Sequence, residues 1–254
     1  GYGRTGSGVQ VVAAGDGVAE VGDEPMLMFA RGLPIAVGAH RAEAIAALLA
    51  AYPRTDVVIS DDGLQHYAMR RDIEIVVVHG ERAFGNGWLL PAGPLRERRA
   101  RVREADALLI NAPRAQAVME GCRDAFHFTV IPEAFVGVRD SAQTVKLEAF
   151  AGKRAHAIAG IGHPEPFFSM LRTLGIDVLA RRFPDHHRFL SEDLPRDAEL
   201  ILMTEKDAVK CQGFADERCW FLRVKADLDP ALIDFVHERL RRLAAARSAA
   251  PAHA

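Results

Sequence analysis

Two adjacent carboxylates, Asp61 and Asp62, close the β-branched run Val57-Val58-Ile59-Ser60 and are followed by Gly63-Leu64-Gln65-His66. Side by side at the end of an apolar strand, two charged aspartates are costly unless a cation or hydrogen-bond donors neutralise them. A hard ion such as Mg²⁺, shared with phosphate oxygens, meets that need. A helix N-cap would account for one aspartate equally well. Two in succession before a glycine leave both readings open. A second acidic turn, Gly22-Asp23-Glu24-Pro25, precedes a helix opened by proline. Asp23 can cap that helix, which this motif alone favours, or act as a general base beside a phosphate site.

Between these acids and the middle of the chain, Arg82–Gly87 and Leu90–Glu97 form a long loop punctuated by glycine and proline. Loops of that length in a compact domain are commonly functional. At its end, Arg96 suits a phosphate clamp and Glu97 a metal or water ligand. An exposed ion pair at the head of a charged helix is the plainer alternative. Arg98, Arg99, Arg101 and Arg103 extend the basic stretch, which reads as a solvated face or as a surface for anionic lipid head groups. Downstream, Asp185-His186-His187 offers an oriented imidazole for proton transfer, a metal ligand or a surface turn. No third ligand stands at metal spacing, which argues against a His-based zinc site. Gly160-Ile161-Gly162-His163-Pro164 resembles a phosphate-binding turn only weakly. Thr204-Glu205-Lys206-Asp207 is read as a helix cap in preference to a site loop.

The elements that must hold these residues read as alternating strands and helices. Val9–Ala13, Ile35–Gly38, Val57–Ile59, Ile73–Val78, Ala107–Asn111 and Phe126–Val130 carry strand patterns, and the Val57–Ile59 run is expected to be a buried parallel strand. Pro25–Arg31, Arg41–Tyr52 and Arg96–Glu104 read as helical, the second stopped by Pro53. Val136–Arg139 and Thr144–Leu147 flank a short polar turn and form a candidate two-stranded connector. A second unit follows with strands Ala155–Ala159, Val178–Ala180 and Leu200–Met203, helix Pro166–Leu174, and a terminal helix from Pro230 to Ala246 with apolar residues at helical spacing. The pattern predicts an α/β fold with a parallel sheet covered on both faces. The expected division is a core over 1–135, a connector over 136–148 and a smaller α/β domain over 149–254, whose last helix packs back on the core.

Composition narrows the function classes. The chain has 254 residues and a net charge of −2, which does not call for a nucleic-acid partner. Cys122, Cys211 and Cys219 show no metal or disulfide spacing, which fits a reducing compartment. No run approaches the roughly 20 apolar residues of a spanning helix.

Taken in order, the segments resemble the lipid A 4'-kinase family, along nearly the whole chain. Gly1-Tyr2-Gly3-Arg4 resembles the end of its Ser-Arg-Gly-Tyr-Gly motif. Gly22–Pro25, Asp61–His66, Phe84–Gly87, Leu90–Glu97, Ala159–Gly162, Asp185–His187 and Met203–Lys210 follow in family order. The resemblance implies a P-loop NTPase-like fold and transfer of the γ-phosphate of ATP, with Mg²⁺, to the 4'-hydroxyl of a tetraacylated glucosamine disaccharide 1-phosphate. That acceptor is a glycolipid on the cytoplasmic face of the bacterial inner membrane, where the enzyme would be peripheral.

By the same resemblance, Asp23 is the base that takes the 4'-hydroxyl proton, partnered by His186 with Asp185 steadying it. Arg96 stabilises the transferring phosphoryl group. Asp61, Asp62 and Glu97 form the metal side. Arg41, Gln65 and Asn86 contact substrate or phosphate. The family's Gly-Lys-Thr phosphate loop lies upstream of Gly-Tyr-Gly and is not within this sequence, so residues 1–254 alone are expected to be inactive. His79 and His163 stand where the family has Asp and Asn. A nucleotide-driven switch or metallochaperone GTPase is the alternative, weakened because Thr204–Asp207 lacks the base-reading spacing. A catalytically dead lipid-binding protein is a further one.

Overall fold

The computed structural model describes residues 6–112 and 124–249; Gly1–Arg4 and Cys122 lie outside them. The chain packs as two compact units. The first comprises Gly1–Asp61 and Pro132–Val224, the second Asp62–Ile131 and Lys225–Ala254. These boundaries do not coincide with the 1–135 and 149–254 division read from the sequence. Two long strands, β5 (Ala125–Gly137) and β10 (Cys219–Leu228), each run from one unit into the other.

In the first unit, β1 (Gln10–Val11) and β2 (Ala36–Val37) pair antiparallel. They accompany α1 (Val18–Val21), α2 (Asp23–Ala30) and α3 (Arg41–Ala51). The main sheet of this unit is parallel, with β10 beside β9 (Ile201–Thr204), then β7 (Arg154–Ala159), then β8 (Asp177–Arg182). The end of β5 also pairs with β6 (Thr144–Val145), Phe135 opposite Val145, so the short turn read at 136–148 is a hairpin.

Alternation along the strands explains the burial. Ile158, Ile201, Met203 and Phe221 point into one apolar cluster, while Ala157, Ala159, Leu202 and Leu222 point into another. A sheet with apolar side chains on both faces needs a cover on each. Helix α4 (Glu165–Thr173) supplies Phe167, Phe168 and Leu171 to one cluster, and α5 (Glu205–Cys211) supplies Ala208 and Cys211 to the other.

The second unit is built the same way on β3 (Ile75–His79), β4 (Ala107–Asn111) and the start of β5, all parallel. Val78, Leu108 and Ile110 face Val102 of a short 3₁₀ turn, Arg99–Glu104. Ala107 and Phe126 face Leu232 and Phe235 of α6 (Pro230–Ala249). The terminal helix thus packs on strands from the middle of the chain.

Two expectations are corrected. Val57-Val58-Ile59 is not a buried strand: it has no strand assignment and its side chains are exposed, Ile59 by 90%. β-branched residues become strand only where the backbone finds a ladder partner, and none of the ladders among the described residues includes this run. The expected helix Arg96–Glu104 is shorter and tighter, a 3₁₀ segment starting at Arg99. Strand β10 carries no comparable pattern in the sequence and emerges from packing, whereas α5 begins at the cap read at Thr204.

Candidate functional site

Gly22 lies at φ 100°, a left-handed conformation that glycine adopts without Cβ strain, and it turns the chain directly into α2. The N-cap is therefore Gly22, and Asp23 is the first helical residue, its Oδ1 accepting from the Glu24 N–H at 3.1 Å. Although charged, Asp23 is only 6% exposed. A buried carboxylate survives as an anion only when it is well partnered.

Three cationic or ionisable groups crowd its Oδ2. His186 Nδ1 lies at 3.2 Å, Lys210 Nζ at 3.5 Å and Lys206 Nζ at 3.8 Å. Burial alone raises the Asp23 carboxyl. The Lys206, Lys210 and His186 charges, with the Glu24 N–H, more than reverse that and hold it below the usual 3.8.

The backbone of His186 is held at φ 58°, a conformation uncommon for a residue with a side chain. Asp185 stabilises the turn, its Oδ1 accepting from the His186 N–H at 3.0 Å, and its Oδ2 stands 3.9 Å from His186 Nε2. A Cβ on Gly162 would sit 3.0 Å from Asp185 Oδ2, so the Gly160–Gly162 turn leaves room for that carboxylate. The neighbouring His187 takes no part: its Nε2 bonds Asp193 at 3.0 Å and its ring stacks on Phe183.

Helix α5, which carries Lys206 and Lys210, is anchored by Thr204, whose hydroxyl accepts from the Asp207 N–H and donates to Asp207 Oδ2 at 2.7 Å. The cap reading of this segment is thus right in part. Asp207 is fully buried, with Gly160 N–H donating to its Oδ2 at 3.0 Å and Lys210 to its Oδ1 at 3.1 Å. Lys206 bridges to Glu24 at 2.9 Å. Lys206 and Lys210 were not singled out in the sequence. Their spacing of four on a capped helix, which places both on one face, is the signal that finds them.

The remaining candidates divide between the units. In the first, Arg41 Nη2 donates to the Asp61 main-chain oxygen at 3.2 Å. In the second, Arg96 Nη1 donates to Gln65 Oε1 at 3.1 Å. Glu97 accepts from the Tyr67 hydroxyl at 2.6 Å and lies 3.6 Å from Arg101. The hydrogen bond and the Glu97 charge raise the exposed Tyr67 phenol.

Asn86 fastens its own loop, its amide donating to Ala92 O at 2.9 Å and its Oδ1 accepting from the Trp88 N–H. Asp62 lies at φ 50° beside Gly63 and makes no hydrogen bond or ion pair among the described residues. No group of three or more His, Cys, Asp or Glu side chains among the described residues is arranged to hold a metal ion.

A buried, charged aspartate paired with a histidine agrees with the kinase resemblance, and comparison with known proteins decides the family. The family model for tetraacyldisaccharide-1-P 4'-kinase matches residues 1–241. The chain belongs to this family. It is 46% identical over 244 residues to the tetraacyldisaccharide 4'-kinase of Dechloromonas aromatica, covering 95% of this chain and 73% of that one. Against the enzyme of the same name from Azoarcus sp. the identity is 44% over 245 residues, 95% of this chain and 71% of the relative. Among solved structures it is similar to LpxK from Aquifex aeolicus crystallised with ATP, with a TM-score of 0.75 and 27% identity over 94% of this chain and 76% of that one. The parallel-sheet α/β fold expected from the sequence is thus that of the family.

Proposed function

We propose that this chain, together with the family's Gly-Lys-Thr turn, transfers the γ-phosphate of ATP to the 4'-hydroxyl of a tetraacylated glucosamine disaccharide 1-phosphate, a step of lipid A biosynthesis, with Asp23 as the base. The relatives named for this reaction support the activity, and the structural neighbour crystallised with ATP supports the donor. The observation that carries the residue assignment is the Asp23–His186 contact of 3.2 Å around a buried carboxylate that remains charged. The family does not favour a GTPase switch or metallochaperone.

In this reading the acceptor hydroxyl lies against Asp23. As its oxygen attacks the γ-phosphorus, the O–H bond breaks and the proton passes to the Asp23–His186 pair. The new O–P bond forms as the bond to the β-phosphate oxygen breaks, and ADP leaves. Asp185 fixes the imidazole through the turn it stabilises. Phosphoryl transfer needs positioning and charge neutralisation more than a strong base, so a carboxylate with a lowered pKa is adequate. Arg96 acts on the charge of the transferring group. Its bond to Gln65 aims the guanidinium, and Arg41 and Asn86 belong to the phosphate and acceptor surroundings, Asn86 by shaping its loop.

Mg²⁺ takes one or two carboxylates plus phosphate oxygens and not a full protein cage. Asp61 and Asp62 fit that chemistry, Asp62 being unengaged among the described residues, and the ion would neutralise phosphate charge. Glu97 fits less well because Tyr67 and Arg101 already hold it.

Peripheral attachment to the cytoplasmic face of the inner membrane suits a glycolipid acceptor. Among the described residues no helix is long and apolar enough to cross a membrane, and Trp88 and Leu90 stand exposed beside the basic stretch. The test is phosphorylation with ATP and the disaccharide lipid, run beside an acceptor lacking the 4'-hydroxyl, in protein carrying the family's Gly-Lys-Thr turn. Label should enter only the first. Equal labelling of both would refute the assignment.

A further inference from the structure

Proton transfer through Asp23 and His186 leaves Lys206 and Lys210 without a stated purpose, yet both ammonium groups reach the same carboxylate oxygen. We propose that Lys210 is the positioning residue of this site: its ammonium, fixed by the buried Asp207, holds the Asp23 carboxylate ionised and aimed at His186, with Lys206 adding to the same field. This rests on the reading of Asp23 as the base.

Asp207 Oδ2 is saturated by the Gly160 N–H and the Thr204 hydroxyl, which leaves Oδ1 for Lys210. Lys210 is itself almost enclosed, its side chain 8% exposed and its ammonium 5.7 Å from the Phe189 ring centroid. A lysine on the surface would lose its geometry to rotamer freedom, whereas this one is clamped from both ends. If it served only to neutralise Asp207, it would have no reason to stand 3.5 Å from a second buried carboxylate. Lys206 is held less tightly, at 3.8 Å from Asp23 and 19% exposed, and it shares its charge with Glu24.

The charge count suits a base. Two ammoniums face three carboxylates, Asp23, Glu24 and Asp207, with Asp185 adding a fourth at the half-exposed rim. With His186 neutral the cluster is therefore net negative. It can take up the hydroxyl proton without creating an excess of buried positive charge. Two opposed effects are thus in balance. Lys210 keeps Asp23 charged before reaction, while the extra carboxylates keep the pair able to accept a proton.

The test follows the Asp23 carboxyl carbon by NMR through an acid titration of the whole chain. Its midpoint should rise in Lys210→Met and in Lys206→Met, and return towards wild type in Lys210→Arg. An unmoved midpoint in a folded Lys210→Met protein, with only thermal stability lost, would assign Lys210 to structure alone and overturn the proposal. If Lys210→Met does not fold, unmoved midpoints in Lys206→Met and in a folded Lys210→Gln overturn it instead.

In kinase assays of protein carrying the Gly-Lys-Thr turn, the acid limb of kcat should move to higher pH in Lys210→Met while KM for ATP stays unchanged. A parallel rise in KM for ATP would place the lysine at the nucleotide and contradict the assignment. Full turnover by Asp23→Asn would refute the base reading and leave the titration result standing by itself.

Discussion

Replacing Asp207 by Asn removes a buried charge while keeping the side-chain volume, and the structure sets the size of the loss. Asp207 is fully buried and accepts three hydrogen bonds, from Gly160 N–H, the Thr204 hydroxyl and Lys210. Removing one partner of a buried ion pair costs about 3–5 kcal/mol because the other charge is stranded. Here Lys210 keeps Asp23 at 3.5 Å, so the lower end, about 3 kcal/mol, is expected. For a unit of this size that corresponds to a fall in Tm of roughly 6–12 °C.

The assay is thermal unfolding followed by a probe in the first unit, such as Trp220 fluorescence, for Asp207→Asn, Lys210→Met and the double variant. Because each single variant strands the other's charge, the double variant should lose less than the sum, by on the order of 0.5–3 kcal/mol. A loss under about 1 kcal/mol for Asp207→Asn, or strict additivity, would refute the idea that the two residues act as a buried pair.

Other outcomes are expected elsewhere in the molecule. Because Asp23 titrates below the ordinary carboxylate value of 3.8, the stability it contributes is fully present above that value and is lost as pH falls through its lowered folded value. The stability difference between wild type and Asp23→Asn should therefore shrink in acid, as read from urea midpoints against pH. Burial pushes the Cys211 thiol up to about 12 and the Cys219 thiol up to about 11. Neither should react with a thiol-specific reagent at pH 8 until the chain unfolds, which a time course with and without denaturant checks. Gly162→Ala places a methyl 3.0 Å from Asp185 Oδ2; it should lower kcat several-fold by displacing the turn that carries His186, with Tm changing little.

Much of the fold was legible because local pattern and tertiary demand agree. Arg41–Ala51 is helical where its Ala/Leu-rich run and the following proline put it, and Ile75–His79 and Ala107–Asn111 are strands where β-branched runs put them. Val57–Ile59 failed because composition specifies a tendency to pair and says nothing of whether a neighbour is present. Strand β10 was missed because its sequence, CWFLRVKADL, breaks into charged residues midway. Its register is fixed by parallel pairing with Ile201–Thr204, across the α5 crossover. At the site, Asp23 and His186 are separated by 163 residues, and only the ordered set of motifs joined them. Lys210 and Asp207 fall within the Met203–Lys210 motif, where nothing local marks them. A buried Lys–Asp pair cannot be distinguished in sequence from the solvated charges of an ordinary helix.

The assignment of Asp23 as base is tested most directly by measuring ATP affinity and phosphate transfer together in Asp23→Ala, in protein carrying the family's Gly-Lys-Thr turn. A base acts on the acceptor, so transfer should fall by about 10²–10⁴-fold while the Kd for ATP stays at the wild-type value. Loss of ATP binding in step with transfer would move Asp23 to the nucleotide or metal side and contradict the account.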